Sequence, residues 1–488
     1  MAGRRALIRV CTGYYIRAVR IVRAGIPPQE TIALAIKRKG HNMKYLFLNN
    51  FRGFLKTFVP IFDVNFLVGE NSTGKTSMMR ILKLLSLPEF WFKLDFSAED
   101  VEFSHFTDIV SMFSEEKRFF DIGLMNVDGS NQELSAFLMT FTKIKGSPSL
   151  SVLTYMRKKR IFRIRFLKSA IKYKKIDFSE HLLTDDEFEK IFYTWLLDHK
   201  NDTKGYKVLK LQKRTSLKEI PLIILTELIE NIFSNEISEK QEKKGKKREI
   251  TLGRLRTLLP LVFFQDIAWI APIRTKPRRT YDMYKLEFSS EGDHTPYLIK
   301  KILGRDADAK KFKNFIKEIG ENSGLFDDVI IKRYGRGATA PFELDVMLNN
   351  KNFSICSVGY GVSQSLPVIV ELFARPKNTW YAIQQPEVHL HPKAQAALGT
   401  LFFHMASMEG KKFLIETHSD YLIDRFRINY GRDKNNNILK AQILFFQRDE
   451  KGNKIFPLSI GHDGNLPKEQ PPAYRDFFIK EQMALLGI

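Results

Sequence analysis

The segment GENSTGKT, Gly69–Thr76, follows an apolar run and precedes a helix-like spacing of apolar residues. It fits the pattern G-x-x-x-x-G-K-[S/T], in which glycines let backbone amides turn inward around a phosphate. The lysine then spans the terminal phosphates, the threonine hydroxyl faces magnesium, and the next helix adds its positive N-terminus. The pattern predicts a strand, a loop and a helix that bind ATP with Mg2+. The predicted contacts are Gly69, Glu70, Asn71, Ser72, Thr73, Gly74, Lys75, Thr76 and Ser77, with Thr76 also facing the metal.

Chain length, net charge and cysteine content limit the class of protein in which such a site would occur. A chain of 488 residues is longer than one typical domain, so two or three lobes are expected. The formal net charge of +23 favours an acidic partner such as nucleic acid, and a basic surface without a dedicated ligand is the alternative. The two cysteines, Cys11 and Cys356, are too far apart for a disulfide framework or a zinc motif. The cysteine pattern therefore predicts a reducing, cytoplasmic compartment. No membrane partner is predicted, because no apolar run approaches the ~20 residues that span a bilayer.

The pattern of strands and helices divides the chain into four parts. Residues 1–42 form a basic N-terminal extension, which either grips a partner or has little structure of its own. Residues 43–90 hold the N-terminal part of the ATPase core with the phosphate loop. Residues 91–260 break the pattern with short antiparallel strands, two helices and the charge run 238–249, and are predicted to form an inserted lid or partner-binding region. Residues 261–488 alternate strands with helices, which predicts a mostly parallel sheet flanked by helices, with an antiparallel β part near its start.

Three further motifs occur in a fixed order around the phosphate loop. NFRGF (Asn50–Phe54) precedes the loop, SVGYGVSQSLP (Ser357–Pro367) precedes a strand that ends in QQPE, and IETHSDYLIDRFR (Ile415–Arg427) follows that strand. This order resembles the ABC-type ATPases of the SMC-like and OLD-like group, over about half of the chain. The resemblance implies an α/β ABC-type head and a dimer in which the signature motif of one head caps the γ-phosphate that the other head holds.

The same resemblance implies roles for single residues. Arg52 matches the arginine after the first strand that reaches the phosphates, and His418 matches the switch histidine that contacts the γ-phosphate or the attacking water. The signature helix would aim its N-terminal amides at the phosphate, and an ordinary strand–turn–helix joint is the alternative. Its predicted contacts are Gly361, Ser363 and Gln364.

Two histidines after the QQPE strand have two possible interpretations. His389 and His391 fit a zinc site by residue type, but no third ligand lies near them in the sequence. We therefore assign them to the loop that crosses the dimer contact in the ABC-type group.

Two amides occupy positions at which the ABC-type group has carboxylates. Gln384 stands where an acid holds the water shell of magnesium, and so is at most a weak metal contact; Gln385 stands where a glutamate polarises the attacking water. Neither amide accepts a proton as a carboxylate does. General-base help is typically worth ~10²–10⁴-fold in rate, so slow hydrolysis is predicted. Glu387 can replace the missing base only if the end of the strand is shifted.

The stretches QQPEVHLHPKAQAAL and YRDFFIKEQMALLGI narrow the resemblance to the PtuA-type ATPases of bacterial antiphage defence. That group occurs in Septu systems and with certain retrons, and its members work with an HNH nuclease subunit, PtuB. In retrons a reverse transcriptase and its branched RNA–DNA product are added. The resemblance implies an ATP-binding regulatory or scaffold subunit, a homodimer or higher oligomer, that controls a separate nuclease.

Two other functions compete with this one. An SMC-like DNA-repair ATPase would normally carry coiled-coil arms, and the chain shows no sustained heptads. An OLD-type nuclease would need a metal-binding acidic domain, but only 70 residues of the 488 follow His418 and they hold no compact acidic cluster.

Overall fold

The computed structural model describes most of the chain outside residues 1–42 and 211–265. The described residues are 43–98, 101–103, 105–128, 133–157, 160–167, 170–177, 189–190, 192–197, 205–210, 266–282, 285–337, 339–433 and 439–476. Predictions for the extension, the helix 216–233 and the charge run 238–249 therefore lie outside the described residues.

The described residues form short strands and helices in mixed order. The strands are β1 (Met43–Asn49), β2 (Thr57–Ile61), β3 (Val64–Gly69), β4 (Ser97–Ala98), β5 (Val101–Glu102), β6 (Phe119–Asp128), β7 (Glu133–Ile144), β8 (Ser147–Arg157), β9 (Arg160–Phe166), β10 (Ala170–Asp177), β11 (Lys207–Lys210), β12 (Ile267–Ile270), β13 (Asp328–Arg333), β14 (Phe342–Leu348), β15 (Lys351–Ser354), β16 (Trp380–Gln384), β17 (Lys412–Glu416), β18 (Ala441–Asp449) and β19 (Gly452–Ser459). The helices are α1 (Lys75–Ser86), α2 (Pro88–Lys93), α3 (Phe106–Ile109), α4 (Thr295–Leu303), α5 (Asp306–Ser323), α6 (Tyr360–Ala374), α7 (Pro392–Glu409) and α8 (Asp420–Arg432), with a π-helical turn at Phe192–Leu197.

A six-stranded sheet carries the motifs, in the order β12-β16-β17-β3-β18-β19. Neighbouring strands are parallel from β12 to β18, and β19 returns antiparallel beside β18. Strand β3 is buried along its whole length, as a parallel strand covered on both faces must be. Its side chains alternate between two cores, with Phe66 and Val68 in one and Leu67 in the other. The predicted α/β fold with a mostly parallel sheet is confirmed.

An eight-stranded antiparallel sheet has the order β11-β10-β9-β8-β7-β6-β1-β2. Strand β6 pairs with β1, for example Leu124 opposite Leu46, so the described strands of the predicted insertion extend the sheet that the first strands begin. One face of β1 joins the core that also receives α1, through Leu46 and Leu48. The other face packs Phe47 on Phe192 of the π-helical turn, with ring centroids 4.7 Å apart. The boundaries of the four predicted parts remain a prediction.

A three-stranded meander, β13-β14-β15, leads into α6. The turn between β14 and β15 is Asn349–Asn350, and both residues have positive φ, 50° and 60°. Asparagine tolerates this left-handed conformation, which two-residue hairpins require. The antiparallel β part predicted in this region is therefore present, and it places the start of α6 beside the ends of the central strands.

Candidate nucleotide site

The motifs meet at one edge of the central sheet because parallel strands end on the same side. In the sheet β16 lies beside β17, and β17 lies beside β3. The register places Gln384 opposite Glu416, and Glu416 opposite Leu67, two residues before the phosphate loop begins at Gly69. Residues 32 and 349 positions apart in the chain are thus neighbours at the carboxyl edge, which is where open α/β sheets bind ligands.

The phosphate loop joins β3 to α1 as the sequence predicts. Gly69 has φ 142°, and a Cβ there would lie 2.1 Å from the Phe446 carbonyl oxygen. Gly74, with φ 99°, caps α1, and a Cβ there would lie 2.5 Å from the Phe54 ring and 2.8 Å from the Asn453 amide. Only glycine fits both positions, because the conformation is left-handed and the space is filled. The remaining loop residues are Glu70, Asn71 and Ser72, which are exposed, and Thr73, which is buried and donates from Oγ1 to the Glu70 carbonyl at 2.8 Å.

Lys75 lies at the first position of α1 with its amine inside the loop. Its Nζ donates to the carbonyl oxygens of Gly69 at 2.8 Å and Glu70 at 2.7 Å, and the side chain is 3 % exposed. Burial lowers the pKa of Lys75, and the charges of Glu416 and Glu70 oppose that shift. The loop therefore holds a cation and a helix N-terminus at one point, which suits a bound phosphate.

A carboxylate from the neighbouring strand lies beside the Thr76 hydroxyl. Glu416, the last residue of β17, accepts through Oε2 from Thr76 Oγ1 at 3.2 Å and from Gln384 Nε2 at 2.9 Å. Gln384 also lies 3.4 Å from the Thr76 hydroxyl. The structure thus brings together the two predicted metal contacts, Thr76 and Gln384, and adds Glu416, which sequence reasoning missed. The available signal was an acid at the end of an apolar strand next to the switch histidine.

The donor set fits a hard divalent cation. Magnesium prefers oxygen ligands and keeps several waters. The hydroxyl of Thr76 and the carboxylate of Glu416 supply oxygen here, whereas Gln384 turns its amide nitrogen toward both. Glu416 is 7 % exposed, its hydrogen-bond partners here are a hydroxyl and an amide, and the positive charge of Lys75 lies close enough to interact with it. A buried carboxylate of this kind is stabilised by a cation.

The amide at the second position lies in a strained backbone. Gln385 has φ 43°, and its N–H donates to the Glu416 carbonyl at 2.7 Å. Glu387, two residues on, is buried and accepts through Oε1 from the His418 backbone N–H at 2.7 Å. Burial raises the pKa of the Glu387 carboxyl, and the hydrogen bond from His418 opposes that shift. The carboxylate of Glu387 therefore contacts the segment that contains His418, although Gln384 and Gln385 carry amides in place of carboxylates.

His418 follows β17 and lies near the phosphate loop. Partial burial lowers the pKa of its imidazole, and the positive charge of Lys75 lowers it further. The imidazole is therefore neutral at pH 7 and can accept or donate one hydrogen bond at the site.

Arg52 reaches the first turn of α1 from the other side. Its Nη1 donates to Ser77 Oγ at 3.4 Å, and its guanidinium lies 4.8 Å from the centre of the Phe103 ring. Its backbone has φ 51°, a left-handed conformation that is uncommon for residues other than glycine. Burial lowers the pKa of Arg52, and the neighbouring Arg80 adds to the shift. The structure thus places Arg52 and Ser77 together beside the phosphate loop.

The signature segment forms the start of α6, with Gly359 as its N-cap. Gly361 packs closely, because a Cβ there would lie 2.6 Å from the His389 carbonyl oxygen. Ser363 donates from Oγ to the Tyr360 carbonyl at 2.8 Å, a bond within the helix. Gln364 faces the core: its amide exchanges two 3.2 Å hydrogen bonds with the backbone of Arg274. Gln364 thus bonds the segment that follows β12, and its predicted contact with a nucleotide remains a prediction.

Replacing Gly361 with alanine is expected to destabilise the protein by about 1–3 kcal/mol, because an added methyl group would overlap the His389 carbonyl. Gly359→Ala is the matched control, since nothing lies within 4 Å of a Cβ at that position. Thermal unfolding of both variants measures the difference. Equal melting temperatures would contradict the close packing of α6 on the His389 segment.

The two histidines of this segment have partners of their own. His391 caps α7, accepting through Nδ1 from the Lys393 N–H at 3.1 Å, and His389 lies edge-on to Tyr360 at 5.1 Å. Across the described ranges, His, Cys, Asp and Glu residues form no group of three that could hold a metal ion. The described residues therefore offer no third ligand for a zinc site at His389 and His391.

A glycine-lined loop, a buried lysine, a threonine and an acidic strand end define a P-loop ATPase. Comparison with known families agrees: residues 43–423 match the AAA ATPase domain family, AAA_15. The chain belongs to this family. An ATPase domain uses a nucleotide and usually Mg2+, so the cofactor prediction is confirmed at that level. Within the described residues, no helix is long and apolar enough to cross a membrane.

Solved structures of SMC heads are also similar to the chain. The Smc head domain with an extended coiled coil bound to the C-terminal domain of ScpA, derived from Pyrococcus furiosus, shares 12% identity at a TM-score of 0.36, covering 92% of this chain and 99% of that one. The SMC head domain from Thermotoga maritima shares 10% identity at a TM-score of 0.32, covering 85% of this chain and 98% of that one. No curated protein matches the chain.

Proposed function

We propose that the chain is an ATP-controlled switch rather than a fast motor. The observation that carries the proposal is the carboxylate of Glu416, which contacts both Thr76 and Gln384 beside the phosphate loop. Thr76 and Glu416 would hold magnesium, with Gln384 bonded beside them, and the metal would neutralise charge on the β- and γ-phosphates. Lys75 and the loop amides bind the phosphates, and Arg52 adds a second positive charge at the start of α1.

The proposal separates binding from hydrolysis. Glu416 supports the metal, but the residue at the position of the water-polarising glutamate is still Gln385, which cannot take a proton. Glu387 is the nearest acid in the same segment, and its Oε1 already accepts from His418 N–H. Hydrolysis then depends on a base that is not aligned in this conformation, which supports a long-lived ATP state.

Replacing Gln385 with glutamate is expected to speed ATP hydrolysis about 10-fold or more, because general-base help is typically worth ~10²–10⁴-fold and the new base would not be perfectly placed. The measurement is phosphate release under single-turnover conditions. Gln470→Glu is the control, since the side chain of Gln470 makes an exposed hydrogen bond to the Pro467 carbonyl near the end of the described chain. Wild-type turnover of several per second, abolished by Gln385→Ala, would overturn the slow switch.

Two copies would share the nucleotides. The N-terminal end of α6 is open to a partner, because Gly359 and Tyr360 are exposed and no atom lies near a Cβ at Gly359. Backbone amides at a helix N-terminus bind phosphate, so this end would cap the γ-phosphate that the second copy holds, with Gly361 and Ser363 at the contact. ATP would then hold a twofold dimer together and leave it when hydrolysed.

The dimer would control a separate nuclease. The order of the motifs and the stretch QQPEVHLHPKAQAAL resemble the PtuA-type ATPases, which supports control of an HNH nuclease in antiphage defence, with or without a reverse transcriptase and its RNA–DNA product. The formal charge of +23 supports an acidic partner. Purification of the tagged chain from its native host, with ATP and Mg2+ present, tests this step. Recovery of an HNH protein at stoichiometric amounts is expected, and its absence with both ATP and ADP would reject the nuclease partner.

A further inference from the structure

Arg274 connects the signature helix to the end of a central strand. It lies four residues beyond β12 and is 1 % exposed. Its backbone N–H and carbonyl each bond the side chain of Gln364, in the first turns of α6, at 3.2 Å. Its Nη2 donates to the carbonyl of Gln384 at 3.0 Å. One buried arginine therefore contacts both the helix that would meet a partner's nucleotide and the strand that carries the metal contact.

The charge of Arg274 faces Glu387. The two side chains attract each other, and burial lowers the pKa of Arg274 to about 10 against that attraction. Arg274 Nε and Nη1 and Glu387 Oε2 are buried, and none of these atoms has a hydrogen-bond partner among the described protein atoms. Buried polar and charged groups are normally hydrogen-bonded, so each buried atom without such a partner needs a physical explanation. The pair is therefore close enough to attract but not joined by a direct hydrogen bond.

Glu387 in turn holds the switch segment. Its Oε1 accepts from the backbone N–H of His418, and His418 follows Glu416, whose carboxylate contacts Thr76. Hydrogen bonds thus join Gln364 to Arg274 and Glu387 to His418. Electrostatic attraction between Arg274 and Glu387 links these two pairs. Because Gln364, Arg274 and Glu387 are buried and closely packed, a shift of α6 would change the position of Arg274 relative to Glu387.

We propose that Arg274 is a positioning residue that couples engagement of the signature helix to the placement of Glu387 and His418 in the same copy. This inference rests on the proposed function, since it needs a second copy to engage α6. In a closed dimer Arg274 would bond Glu387 directly and draw its carboxyl toward the guanidinium. The fixed fork of arginine can keep the Gln384 carbonyl and reach a carboxylate at once, which a lysine amine cannot do with the same geometry.

The test compares two buried arginines. Arg274→Lys is expected to lower kcat for ATP hydrolysis about 10-fold while the Kd for ATP changes less than twofold, because Arg274 contacts no part of the phosphate loop. Arg163→Lys is the matched control: Arg163 is also 1 % exposed, but it lies in the antiparallel sheet, where it donates to Thr154 and to the Leu196 carbonyl. A loss of packing alone would affect both variants alike.

A double-mutant cycle with Glu387→Gln identifies the partner. If the two residues act together, Arg274→Lys with Glu387→Gln is expected to lower kcat no further than the worse single variant. Additive losses, a wild-type kcat in Arg274→Lys, or an equal loss in Arg163→Lys would each overturn the inference. The mass of the wild-type protein with ATP and Mg2+, measured by light scattering, separates the two levels: a persistent monomer overturns the proposed dimer and this inference with it, whereas a dimer with unaffected Arg274→Lys kinetics overturns the inference alone.

Discussion

Replacing Lys75 with alanine is expected to weaken ATP binding about 100-fold. The amine is buried between the carbonyls of Gly69 and Glu70, where it would bond the β- and γ-phosphates. Hydrogen bonds to charged groups contribute about 1.5–3 kcal/mol each, and each 1.4 kcal/mol is a factor of ten in affinity. Titration of the purified variant with a fluorescent ATP analogue, with Mg2+ present, measures the loss.

Lys83→Ala is the control for that variant. Lys83 lies two turns further along α1, and its amine is also bonded, to Asp266 at 2.7 Å and to the Ile267 carbonyl at 2.7 Å, at the opposite end of the helix from the loop. We expect Lys83→Ala to lower stability and leave ATP affinity within about twofold of wild type. Full ATP affinity in Lys75→Ala would defeat the assignment of this loop.

Replacing Glu416 with glutamine is expected to lower ATP hydrolysis about 100-fold and to remove most of the effect of Mg2+ on ATP binding. The amide has the same shape, so the contacts with Thr76 and Gln384 can remain, but the negative charge that attracts the cation is gone. ATP binding measured with MgCl2 and again with EDTA gives the magnesium effect directly. A single-turnover assay gives the hydrolysis rate.

Glu321→Gln removes a charge elsewhere and serves as the control. Glu321 lies on α5, where it faces Lys317 at 3.9 Å with both side chains mostly exposed, so its loss should change neither quantity. If Glu416→Gln keeps the magnesium effect of the wild type, the carboxylate on β17 does not hold the metal and the site must be assigned differently.

The phosphate loop could be predicted from the sequence because its chemistry is local. Eight consecutive residues, Gly69–Thr76, hold the glycines, the lysine and the hydroxyl, and the strand and helix on either side have their own periodicity. The turn at Asn349–Asn350 is local in the same sense, since positive φ at both residues favours asparagine.

Contacts set by strand order could not be predicted in this way. Glu416 contacts Thr76 because β17 lies between β16 and β3 in the sheet. The residues around Glu416 in the sequence do not indicate this strand order. Gln364 bonds Arg274, 90 residues earlier, and nothing in the signature-like segment indicates that partner. Such pairings depend on packing of the whole sheet rather than on spacing along the chain.

Two edge strands have only a weak strand pattern in the sequence. Strands β2 and β19 each contain a proline, Pro60 and Pro457, which weakens a strand pattern. Both strands lie at the edge of their sheets, where a missing N–H is tolerated. Helix α5, by contrast, carried a usable signal, because Phe312, Ile316 and Ile319 recur at helical spacing and are its buried face.

The central claim is that one copy holds ATP at its phosphate loop while the signature helix of a second copy caps it. Lys75→Ala and Ser363→Arg, each expected to be inactive alone, test it when the two variants are co-expressed with different tags and purified on both. Such a heterodimer keeps one complete site of two, so it should hydrolyse ATP at about half the wild-type rate per dimer. A rate no greater than that of either variant alone would show that the two copies do not share their sites and would contradict the account.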